Sequence, residues 1–182
     1  MKIGFVSLSV VFLLTVGCTN RLNTYEKETA LLVAQTDTIL GDLNRIDTTI
    51  VRKLYTGATE TARRFKETVT DTLTLEFTYR LDSFLVAKRQ LENTAVLRNQ
   101  LYERTLAAKK RCRNLYSDIG KGAGERSEYP RFVQAERREI RFLSQESKSL
   151  LETFRTSNAA ITQFQPEIER FISRFVQPVT LP

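Results

Sequence analysis

Apolar residues recur in alternating steps of three and four through most of this chain, most cleanly in its last third. Ile140, Leu143, Ser147, Leu150, Phe154, Ser157, Ile161, Phe164, Ile168, Phe171 and Phe175 fall at those steps, and Arg, Glu, Gln, Ser and Lys fill most positions between them. That spacing lays them along one stripe of a helix, and about five heptads of it make a coiled-coil-like seam. Pro166 lies on the outer face, where a kink or a helix restart is expected, with Glu167 and Glu169 suiting a first turn. The first third repeats the pattern through Leu32, Thr36, Ile39, Leu43, Ile46 and Ile50, followed by Leu54. The middle third offers Phe77, Leu81, Phe84, Leu91 and Ala95, then a drifting second stripe through Leu97, Leu101, Ala108 and Leu115. Lys88 and Lys109 interrupt it, and their stems can lie along an apolar stripe while the ammonium groups reach water.

Helix breakers are scarce. Between Thr24 and Tyr116 the only glycines are Gly41 and Gly57, and there is no proline, so long helices are expected. Gly120-Lys121-Gly122-Ala123-Gly124, followed by charged residues and Tyr129-Pro130, marks one loop. An earlier break has two candidates: Thr56-Gly57, or the 68–72 stretch, whose threonines and Asp71 offer capping oxygens. The alternation of Val69, Leu73, Leu75 and Phe77 resembles a strand, but a lone strand among long helices leaves its backbone groups unpaired, so the 68–72 stretch reads as the turn into the second helix. Three helices result, near 24–67, 72–117 and 129–176, each about 65–72 Å long at 1.5 Å per residue. Matched lengths predict an all-α, elongated up-down-up three-helix bundle over 24–176, with 177–182 as a C-terminal tail. The same stripes could pair between chains in a parallel homo-oligomer; four phenylalanines on the last seam favour the wider core of a single-chain bundle.

The start of the chain differs in kind. Lys2 precedes an apolar run from Ile3 to Val16, broken only by Gly4, Ser7, Ser9 and Thr15, and Leu14-Thr15-Val16-Gly17-Cys18 closes it. Residues 1–18 resemble a bacterial lipoprotein signal: a positive n-region, a short apolar core and a small residue before the cysteine. Thr15 stands where the usual pattern has Leu, and Leu14 lies one place further out. The resemblance implies cleavage of a signal peptide over 1–17, a diacylglycerol and a fatty acyl chain such as palmitate on Cys18, and a lipidated tether over 18–23. It also implies a membrane-anchored protein of the cell envelope. Thr19 is not the aspartate that holds enteric lipoproteins in the inner membrane, which points to the outer membrane, facing the periplasm or the cell surface.

Loss of Lys2 with the signal leaves 27 basic and 21 acidic residues from the original 28 and 21. Residues 18–103 carry twelve of each sign and residues 142–182 four of each, so the surplus lies wholly in 104–141. Arg104, Lys109, Lys110, Arg111, Arg113, Lys121, Arg126, Arg131, Arg137, Arg138 and Arg141 face Asp118, Glu125, Glu128, Glu136 and Glu139 there. In an up-down-up bundle this hairpin tip returns to the end that carries Cys18. Each cation near an anionic surface contributes about 1 kcal/mol, so all of these except Arg104 form a candidate surface for anionic lipid, lipopolysaccharide or a cell-wall polymer. The plainer reading is a solvated tip whose cations complement the dipole of the second helix, which accounts for 109–113 but not for 131–141 at the start of the third.

Other chemistries recede. A basic patch with Tyr116 and Tyr129 beside it could stack nucleic acid, but an exported, lipidated chain rarely meets it, so no nucleic-acid partner is expected. The glycine loop follows a helix and lacks phosphate-loop spacing. Without histidine the commonest general base and metal ligand is missing, so neither metal, cofactor nor catalysis is expected. Cys112 has cationic neighbours that would lower its thiol pKa, yet it shares a stripe with Tyr116 and Ile119 and reads as a small core residue; alone after Cys18, it cannot close an internal bridge. What remains is a lipid-anchored structural or interaction protein, with a binding or chaperone-like lipoprotein as the second reading.

Overall fold

The computed structural model describes the backbone of residues 4–175 and the side chains of residues 24–175. The regular structure of the described residues is helical: α1 (Gly4–Asn44), α2 (Thr48–Thr68), α3 (Leu75–Leu91), α4 (Thr94–Lys121), a 3-10 turn (Arg126–Glu128) and α5 (Tyr129–Ser173). They form an all-α three-helix bundle in which α1 and α2 make the first leg, α3 and α4 the second, and α5 the third. The tail at 177–182 lies outside the described residues.

Local chemistry sets the joints. After α1 the chain tightens, with Arg45 N donating to Asp42 O and Ile46 N to Leu43 O. Asp47 then adopts an extended backbone and accepts from the amides of Thr49 (2.7 Å) and Ile50 (3.3 Å), capping α2. The first leg is therefore two helices where one was expected over 24–67. Gly57 sits inside α2, and the turn falls at 69–74, where Val69 is extended and Thr74 caps α3 by accepting from Phe77 N. The second leg also divides, at residues 92–93. At the end of α4, Ala123 N donates to Asp118 O and Gly122 N to Ile119 O, the paired bonds of a Schellman motif, and Gly122 supplies its left-handed backbone at φ 64°. Pro166 neither breaks nor restarts α5, which is continuous through it. Residues 18–23, expected as a tether, are helical backbone within α1.

Two compact units share these helices. One comprises residues up to 41 and 102–145; the other comprises residues 42–101 and those from 146 onward. In the first, Leu32, Ile39, Ala108, Cys112, Ile119, Tyr129, Val133, Ile140 and Leu143 are buried. In the second, Leu43, Ile46, Val51, Ala58, Phe84, Leu91, Leu150, Ile161, Ile168 and Ile172 are buried.

The α5 seam is nearly the predicted one, but the other legs correct the expectation at two places. Ile50 is 46% exposed, and Val51, Ala58 and Thr61 carry the α2 stripe instead, because the non-helical joint at 45–47 rotates the phase of everything after it. Leu97 is likewise 45% exposed; the α4 stripe runs through Thr94, Leu101, Thr105, Ala108, Cys112 and Ile119. Several buried positions are hydroxyls. Thr29 Oγ1 donates to Tyr25 O, Thr94 Oγ1 to Gln90 O, and Ser157 Oγ to Gln90 Oε1 at 2.8 Å, so their polar atoms are satisfied in the core.

Candidate functional site

The basic hairpin belongs entirely to the first unit. Its loop lies beside the middle of α1: a Cβ added at Gly120 would stand 3.6 Å from Oε1 of Glu26. The loop is fastened from within. Tyr129 is buried and its hydroxyl lies within hydrogen-bonding reach of the carbonyls of Asp118 and Ala123, while Arg126 packs over Gly122. Tyr129 is thus a structural staple rather than an exposed stacking surface; Tyr116 is 42% exposed.

The ten candidate cations divide into two groups. Four are held by carboxylates: Lys109 by Asp37 and Arg137 by Glu28, both across to α1; Arg111 by Glu136 on α5; and Arg131 by Glu128 at 2.8 Å. Arg111 is gripped through two nitrogens, Nε at 2.6 Å and Nη2 at 3.0 Å, and the Glu136 carboxylate raises its pKa further above the ordinary guanidinium value. Arg104 is engaged in the same way, 2.9 Å from Glu139 and over the Phe142 ring. The remaining six, Lys110, Arg113, Lys121, Arg126, Arg138 and Arg141, are exposed and form no ion pair with any described residue.

Geometry separates those six into strips. Lys110, Arg113 and Lys121 share an outer stripe of α4, Arg138 and Arg141 share one on α5 with Arg131, and Arg126 stands in the turn between the helices. The α4–α5 groove between the strips has a different character. Leu115 and the 44% exposed Phe132 line it, and Asp118, Glu125 and Glu128 bring carboxylates to a cleft of about 430 Å³ there. Reading the window by net charge missed this, because the signal that Glu28, Asp37 and Glu136 neutralise particular cations is a cross-helix pairing and leaves no local trace in sequence.

Cys112 is fully buried, and that burial pushes its thiol pKa up to about 11 from an ordinary 9.0, outweighing the opposing effect of Arg111. It is a core residue with little thiolate at neutral pH. Cys18 is placed only as backbone within α1, and its side chain lies outside the described residues. Among the described residues no three His, Cys, Asp or Glu side chains gather in a way that could hold a metal ion, and no helix is long and apolar enough to cross a membrane. Comparison with protein families, with curated proteins and with solved structures finds no match to this chain.

Proposed function

We propose that this chain is a lipid-anchored helical protein of the bacterial envelope, held through an acylated Cys18, with a structural or protein-interaction role and no catalysis. The observation that carries the reading is the proximity of Gly120 to Glu26: the loop of the cationic hairpin meets α1 eight residues after Cys18. A lipid there draws exposed cations toward headgroups, orienting the helices on the bilayer, and a basic patch is the usual second signal beside acyl chains. The envelope location proposed is the outer membrane, facing the periplasm or the surface. Metabolic labelling with an alkyne palmitate analogue tests the anchor. Label is expected in the wild type and absent in Cys18→Ala, with the variant leaving the membrane fraction; equal labelling of both would refute the anchor.

A second reading has its own support, since six cations form no ion pair among the described residues while their neighbours are paired. In it the tip does more than orient the protein and holds an anionic lipid, lipopolysaccharide or cell-wall polymer. Salt-sensitive binding to anionic vesicles by the unlipidated chain favours it, and absence of binding even at low salt counts against it.

A further inference from the structure

The second unit holds a cleft that the charge census does not reveal, because residues 142–182 are balanced in sign. It measures about 450 Å³, within the range of small-ligand sites, and opens between the first turns of α3 and the last turns of α5. Phe77 and Phe171 form its apolar wall, stacked with centroids 4.2 Å apart and rings inclined by 28°, and both are only half-buried. Arg80 enters from α3, but its guanidinium is occupied by Glu76 at 2.5 Å and by Glu167 at 2.6 Å, which consumes both carboxylates of the cleft. Arg170 stands in the last turn of α5 and Arg174 in the turn that follows its end. Arg170 donates through Nε to the Pro166 carbonyl, Arg174 lies over the Phe171 ring at 5.9 Å, and neither meets a carboxylate among the described residues. Two guanidiniums with no carboxylate partner among the described residues thus stand at the edge of an aromatic surface.

We propose that this cleft binds an amphiphilic anion, with a phosphate or carboxylate head between Arg170 and Arg174 and an apolar body against Phe77 and Phe171. Guanidinium suits such a head through paired N–H donors, and the rings reward an apolar body over a bare ion. The test is a ³¹P NMR titration of the full chain with 1-naphthyl phosphate, against inorganic phosphate as the head alone. Saturable binding of naphthyl phosphate is expected, at least tenfold tighter than inorganic phosphate. Arg170→Gln with Arg174→Gln should weaken it by about tenfold, as loss of two solvent-facing charge contacts implies, while Arg138→Gln with Arg141→Gln should leave it unchanged. Glu76→Gln, which releases Arg80 from one carboxylate, should tighten it several-fold, and this gain gives a readout even where the double variant folds poorly. Equal affinity for inorganic phosphate, equal loss in the Arg138/Arg141 variant, or no gain in Glu76→Gln would each overturn the proposal.

Discussion

If free cations rather than total charge decide how the hairpin meets an anionic surface, two triple substitutions of equal charge should behave differently. Lys110→Gln, Arg113→Gln and Lys121→Gln removes three exposed cations on one stripe of α4. Lys109→Gln, Arg111→Gln and Arg137→Gln removes three whose charges are already balanced by Asp37, Glu136 and Glu28. Each free cation close to an anionic membrane contributes about 1 kcal/mol, so the first triple should lose about 3 kcal/mol, roughly a 150-fold fall in partition coefficient. The second exposes three carboxylates as it removes three cations from pairs, so electrostatics alone would weaken binding too; its loss should nevertheless be smaller, because Asp37, Glu28 and Glu136 lie on the flank toward α1 or in the groove and not on the outer stripes. Co-sedimentation of the chain lacking residues 1–18 with vesicles containing phosphatidylglycerol measures both. The loss should shrink as salt rises, since the Debye length falls from about 10 Å at 0.1 M to about 3 Å at 1 M. Equal losses in the two triples, or binding indifferent to salt, would refute the division into free and committed cations.

Leu143→Ala empties a fully buried seam position and should destabilise the chain by about 3 kcal/mol, read as a lowered midpoint in urea without a changed slope. Asp47→Ala removes the cap of α2 and should cost about 1 kcal/mol, with faster amide exchange at Thr49 and Ile50 reporting its local origin. The Cys112 thiol should resist maleimide at pH 7 in the folded chain and react on unfolding. Because its folded pKa of about 11 exceeds the ordinary 9.0, the folded state holds the proton longer than the unfolded one between those values. Stability should therefore decline as pH rises from 9 toward 11, and Cys112→Ala should abolish that part of the decline.

Much of this architecture could be read from spacing alone. The α5 seam is buried at Ile140, Leu143, Ser147, Leu150, Phe154, Ser157, Ile161 and Ile168, as three-four periodicity requires, because an unbroken helix carries its phase from end to end. Where a joint intervenes the phase is lost. Ile50 and Val51 are both apolar, and the non-helical joint at 45–47, closed by the cap at Asp47, decides which of them faces inward. Thr94 and Thr105 escaped a hydropathy reading because their hydroxyls mark them as polar, although a threonine in a helix can return its proton to a preceding carbonyl, as Thr94 does to Gln90, and be buried like a valine.

Sequence by itself determined the helical class, the three legs, the Gly120–Gly124 loop and the place in the chain where positive charge accumulates, since each depends on neighbours within a turn or two. Tertiary structure alone decided which cations are spent. The acids that claim Lys109, Arg111 and Arg137 are 72, 25 and 109 residues away in sequence and belong to other helices. It also decided that Arg170 and Arg174 meet two phenylalanine rings at a cleft, because Phe77 and Phe171 come together only when α3 packs on α5. Periodicity is a property of one helix, whereas charge pairing and cavity formation are properties of helices set side by side.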